Sequence, residues 1–285
     1  MRPFDTVMMV DWSARSTPSP ARPTKDAIFI GIAQGADLTV HYKRTRHAAM
    51  AFLTERIDAL RAAGRRVLVG FDFPFGYPRG FARAVTGRDD PFAVWEWLAA
   101  AITDDEKNGN NRWEVALRLN AMFPGVGPFW GCPATVASTD LPAKGRLREG
   151  HGMKERRAVE RLLPRAQPCW KLFTTGSVGS QVLMGLPHLQ RLRERYGADL
   201  SVSPFEAGET PIVLAEIYPG LLDAAIKAQV RKGEILDAVQ VRLVAKAFAG
   251  VAADDLAAML QEGDAEEGWI LGLGHEAALL DAMVR

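Results

Sequence analysis

Residues 66–74 read RVLVGFDFP, an unbroken run of β-forming apolar residues that halts at Asp72. Pro74 cannot extend the ladder, so the strand ends there with a carboxylate at its tip. Upstream, 47–63 has helical spacing, with Met50, Leu53, Ile57 and Leu60 on one face and Gly64 as the stop. Two further apolar runs, 4–10 and 27–33, and an alternating one, 38–42, come before that helix. The link at 35–37 is tight, and such short links imply an antiparallel meander. A loop at 15–25 with three prolines separates the first two runs. The order through residue 74 is therefore β-β-β-α-β.

Downstream, 75–175 changes character. It is rich in Gly and Pro, holds five of the seven tryptophans, and offers short helix candidates at 91–102, 113–122 and 153–163. This stretch is expected to be an inserted cap laid over an α/β core made of 1–74 and 176–285. The core resumes with a helix opening at Thr174-Thr175-Gly176-Ser177 and running to about 195. A buried strand at 212–217 and helices at 232–249, 254–261 and 275–283 follow. The expected fold is a mixed sheet, an antiparallel three-strand meander plus parallel strands, flanked by helices.

Bulk properties narrow the partners. The net charge of +1 on 285 residues gives no global field to draw nucleic acid or an anionic membrane. No apolar run approaches the ~20 residues that cross a bilayer. No secretory leader is visible, and the two cysteines, Cys132 and Cys169, have neither metal-ligand spacing nor the number for a disulfide framework. A cytoplasmic protein with two reduced structural thiols is expected.

Four acids stand out. Asp11, Asp72 and Glu216 lie at or beside the carboxyl ends of predicted strands, and Asp237 lies early in the last long helix. In an open sheet with parallel strands those ends share one rim, where ligand sites concentrate. Two unit charges 4 Å apart repel by about 4 kcal/mol at an effective dielectric of 20. Such a cluster calls for a shared proton or a cation. Oxygen-only ligands favour Mg²⁺ or Mn²⁺ over zinc. Taken singly, an Asp after a strand is more often a turn former or helix cap.

Those acids, in that order of elements, resemble the ribonuclease-H-like superfamily. More narrowly, MMVDWSA (8–14), VGFDFPFGYP (69–78), TTGSVGSQ (174–181), LAEIYPG (214–220) and KGEILDAVQVR (232–242) look like the DUF429 family of predicted nucleases with that fold. The matching segments span the core and leave most of the cap unmatched. The resemblance implies metal-assisted hydrolysis of a phosphodiester, with Asp11 and Asp72 as first-choice ligands and Asp237 completing the coordination. Glu216 departs from the superfamily pattern, and its expected role is to ligate or to orient water. The alternative is a non-hydrolytic protein holding a nucleotide or small anion in the same acidic cleft.

Three other features bear on binding. The helix start with Thr175, Gly176, Ser177 and Gly179 could cradle a phosphate, and equally its residues are ordinary caps and turn formers. Arg112, at a loop-to-helix junction, is a candidate to reach the site. The stretch 144–165 carries eight Lys or Arg against three Glu, a grip for phosphates or, more usually, a solvated helix face. The cap tryptophans are expected to build core more than to stack on bases. Expected partners are a nucleotide, a short nucleic acid or a small anionic ligand, and no membrane.

Overall fold

In the computed structural model, which describes residues 2–285, the three N-terminal runs form β1 (Thr6–Asp11), β2 (Ile28–Gln34) and β3 (Asp37–Lys43). Met1, counted above in the core, lies outside the described residues. Helix α1 (Arg46–Ala62) and strand β4 (Val67–Phe71) follow. The next hundred residues hold only short helices, α2 (Phe81–Thr86), α3 (Pro91–Ala101), α4 (Arg112–Asn120) and α5 (Ala158–Leu162). Then come α6 (Gly179–Tyr196), β5 (Leu200–Val202), β6 (Ile212–Glu216), α7 (Asp223–Ala228), α8 (Leu236–Gly250), α9 (Ala253–Gln261) and α10 (Glu276–Val284).

The six strands make one mixed sheet in the order β3-β2-β1-β4-β6-β5. The first three pair antiparallel, as the tight β2–β3 link requires for that pair, while β4, β6 and β5 continue the sheet in parallel. Alternation along β1 divides the interior: Met8 and Val10 join one apolar cluster and Val7 and Met9 the other. Helices α1 and α6 cover the first face and α8 to α10 the second, giving three layers.

The segment 75–175 has no core of its own. Its Phe81, Trp95, Val115, Phe129 and Trp170 are buried in the same cluster as β1 and β4. Trp95 Nε1 donates to the Phe75 carbonyl at 2.8 Å and Trp170 Nε1 to the Lys154 carbonyl at 2.9 Å, so both indoles are structural. The expected helix at 153–163 shrinks to α5, and α6 begins at Gly179 and not at Thr174. Among the described residues no helix is long and apolar enough to cross a membrane.

One glycine sets the geometry of the rim. A Cβ on Gly31 of β2 would lie 2.2 Å from the Val241 carbonyl oxygen, so a bare backbone lets α8 settle directly on the sheet. Asp237, one turn before Val241, is thereby brought to the strand ends.

Candidate active site at the strand ends

Parallel pairing sets Val10 beside Phe71, so Asp11 and Asp72 leave their strands side by side. The turn is stitched by two bonds: Asp72 N–H donates to the Val10 carbonyl at 3.2 Å, and Trp12 N–H donates to Asp72 Oδ1 at 2.7 Å. The two carboxyls lie close enough that each shifts the titration of the other. Burial, joined by the charges of Asp72 and Asp237, pushes Asp11 well above the usual carboxylate range. Burial lifts Asp72 to about 7, against the Trp12 N–H, which holds it down. Asp237 accepts from Asp26 N–H at 2.8 Å, and burial raises it too.

These three acids line an open cavity of about 670 Å³, together with Arg112, Ser177 and Gln181. Arg112 is only 7% exposed, and burial lowers its guanidinium to about 10. Its Nη1 donates to Ser16 Oγ (2.9 Å) and Asn110 Oδ1 (3.0 Å), while Nε is buried with no partner. Among the described residues no carboxylate lies within ion-pair distance of Arg112. Arg15 and Lys25 line the cavity as well, and Lys25 acts on Asp237, yet among the described residues none of the three acids makes an ion pair.

Arg46, which looks in the sequence like an ordinary surface residue at a helix start, secures the site from behind. Fully buried, it donates through Nη1 to the carbonyls of Ser13 (3.1 Å) and Arg15 (2.8 Å) and pairs with Asp104 at 2.5 Å. His188 joins Asp104 at 3.0 Å and sets its ring edge-on to Trp12. Gln181 adds a bond from Nε2 to the Trp12 carbonyl at 2.5 Å.

Glu216 corrects the sequence reading. It caps β6 as expected, but it is 2% exposed and engaged on both oxygens. Arg157 reaches them at 2.6 and 2.8 Å, and Phe75 N–H donates to Oε2 at 2.9 Å. Arg157 also takes Glu160 at 2.8 Å and the Glu267 carbonyl at 3.0 Å. Burial favours the neutral carboxyl, and this guanidinium holds the charge in place. With Arg157 and the Phe75 N–H on its oxygens, Glu216 is neutralised by the chain itself, unlike Asp11 and Asp72.

The cradle at the start of α6 is only partly free. Thr175, Gly176 and Ser177 line the acidic cavity, and Thr174 (φ 76°) and Gly176 (φ 73°) both turn left-handed there. Ser177 N–H is spent on the Thr174 carbonyl and Lys171 Nζ on the Thr175 carbonyl. Gly179 drops out, because its N–H donates to the Lys171 carbonyl and a Cβ there would meet the Cys169 carbonyl at 2.3 Å. Its smallness serves close packing.

The basic stretch 144–165 is divided: Lys144, Arg146, Lys154, Arg161 and Arg165 are exposed, while three others serve the fold. Arg157 is buried, Arg148 pairs with Glu155 at 2.8 Å, and Arg156 bonds the Ala166 carbonyl at 2.5 Å. Cys132 and Cys169 are both buried and free.

Among the described residues, no group of three or more His, Cys, Asp or Glu side chains is placed to hold a metal ion. A closed three-carboxylate site therefore does not fit this rim. The two adjoining carboxylates do fit an ion such as Mg²⁺, which commonly takes one or two carboxylates and completes its shell with water and substrate phosphate. No protein-family model, curated protein or solved structure matches the chain.

Proposed function

We propose that the rim is the centre of a ribonuclease-H-like, divalent-metal-dependent hydrolase of a phosphodiester or nucleotide. The observation that carries this reading is the pair Asp11–Asp72, two adjoining acids that make no ion pair with a Lys or Arg among the described residues. The sheet order and the placement of acids after β1, after β4 and in the first turn of α8 support the same reading and the DUF429 likeness.

Asp11 and Asp72 would hold Mg²⁺ or Mn²⁺, which when bound polarises the phosphoryl oxygen and lowers the pKa of water. Asp237, fixed by Asp26 N–H, keeps a second negative charge beside the pair and is placed to accept a proton from water. Arg112 orients the phosphate, since its buried Nε lacks an acceptor that a phosphate oxygen provides. Hydrolysis adds water across one P–O ester bond, the hydroxyl going to phosphorus and the proton to the departing oxygen.

The test is turnover of short oligonucleotides and mononucleotides with Mn²⁺. Asp72→Asn is expected to lower kcat/KM by about two to three orders of magnitude, the loss typical of an electrostatic catalytic group. Full activity in that variant would end the proposal. The missing third carboxylate favours one alternative, a binder that holds the same nucleotide without cleaving it. Metal and nucleotide binding without turnover would establish that alternative.

A further inference from the structure

Beside the acidic cavity lies a second one of about 520 Å³, on the β6 side of Asp72. Asp72, Gly176, Ser177, Gln181 and Gln240 line both, so the two are lobes of one cleft with Asp72 at its waist. Their chemistry differs. The acidic lobe gathers three half-buried carboxyls that make no ion pair among the described residues. In the second lobe Arg157, Glu160 and Glu216 satisfy one another, and exposed Arg165 shares the carboxylate of Asp223 with Lys227. At its mouth Lys227 pairs with Asp223 at 2.9 Å.

What remains in the second lobe is apolar wall and unclaimed hydrogen-bonding ends. Pro74, Ile217, Pro219 and Ile270 supply the wall. Tyr218 is half-buried there, and among the described residues its hydroxyl and the Gln240 amide have no hydrogen-bond partner. Gln167 makes only a long bond of 3.5 Å to the Arg165 carbonyl. Flat apolar surface with a few unpaired donors and acceptors suits an uncharged ring with polar edges. A volume of about 520 Å³ lies within the range of small-ligand pockets.

We infer that the second lobe is a subsite for the nucleoside body of a small phosphoester whose phosphate lies in the acidic lobe between Asp72 and Arg112. The placement of the phosphate rests on the function proposed above; the character of the second lobe does not. The substrate class is then a mononucleotide or a short single-stranded end, with the base held by Tyr218 and the glutamine amides.

Equilibrium binding to the full chain in Mg²⁺ buffer tests this, with adenosine 5′-monophosphate and inorganic phosphate as probes. The nucleotide is expected to bind at least about tenfold tighter than phosphate, a gap of about 1.4 kcal/mol. Tyr218→Ala is expected to erase that gap while leaving phosphate affinity unchanged. Gln167→Ala, on an exposed loop, is expected to narrow it without risk to folding. Arg112→Ala is expected to weaken both probes alike. Equal affinity of the wild type for the two probes, or equal weakening of both by Tyr218→Ala, overturns the subsite. Turnover plays no part in this readout: a nucleotide bound selectively and never hydrolysed supports the subsite while sinking the hydrolase.

Discussion

Two acidic strand ends on one rim have opposite fates. At the tips of β1 and β4, Asp11 and Asp72 lie side by side, each raising the cost of charge on the site, and among the described residues neither makes an ion pair. At the tip of β6, only the next strand over, Glu216 receives a buried guanidinium that grips both its oxygens. Sequence position is the same and so is charge. The difference is whether the polypeptide supplies the counter-ion, and the segment 75–175 does so for one acid and not for the other two. A neutralised acid is architecture, whereas an unneutralised pair is a standing demand for something from solution.

The largest test of that contrast is at Arg157. Replacing it by Met strands Glu216 and Glu160 in the interior, and removal of one partner from a buried pair costs about 3–5 kcal/mol. Urea unfolding should show that loss, and the triple change with Glu160→Met and Glu216→Met should recover much of it, since an apolar replacement of a whole buried ionic group is often neutral. A loss under about 1 kcal/mol, the size of an exposed pair, would erase the distinction between the two regions.

At the other tip the sign reverses. Asp11→Asn removes a like-charge contact, so the metal-free protein is expected to gain stability, by about 1 kcal/mol, as substitutions at strained functional sites commonly do. The same change should abolish any rise in Tm caused by Mn²⁺, while Glu216→Gln leaves that rise intact. If Glu216→Gln removes it and Asp11→Asn does not, the roles assigned to the two tips are exchanged.

The smallest effect concerns pH and the support behind the rim. Burial holds His188 below its unfolded value of 6.5. Asp104 sits at about 2, the bonds from Arg46 and His188 outweighing a burial that pushes the other way. A depressed histidine disfavours folding once it must be protonated, so its contribution is whole above pH 6.5 and declines below. The Asp104 contribution is present above 3.8 and is lost only as pH falls toward 2. Raised Asp11 and Asp72 work the other way in both proteins, so the readout is the difference: below pH 6.5 the wild type should lose stability relative to His188→Gln. An equal slope in both proteins would show that the imidazole carries no such load.

Much of this arrangement was readable before any coordinates. Strands β1, β4 and β6 announce themselves as contiguous β-formers, and an acid followed within a few residues by proline marks the ends of β4 and β6. That placed Asp11 and Asp72 on one rim as an expectation; the parallel register of β1 with β4 sets them side by side. Strand β5 escaped because three residues, Leu200-Ser201-Val202, carry no periodicity. The stretch 153–163 read as a helix, yet its arginines bond carbonyls and buried acids, and this holds most of it in irregular backbone. Glu216 was misjudged because its partner lies 59 residues away, and nothing local marks Arg157 as different from the basic residues around it. Gly179 was misjudged for a related reason. A glycine at a helix start is equally consistent with an approaching ligand and an approaching carbonyl, and only tertiary packing distinguishes them.

The guanidinium clasp also decides how the molecule can be cut. Because Arg157 joins the tip of a central strand to residues inside the 75–175 stretch, and because that stretch shares its apolar interior with the sheet, the excursion is not a detachable module. A shortened chain that rejoined Pro74 to Gly176 would leave Glu216 as a bare charge and open Phe71 and Phe73 to water. Protein engineers seeking a minimal scaffold would have to redesign that strand tip first, whatever they chose to graft in place of the excised loop.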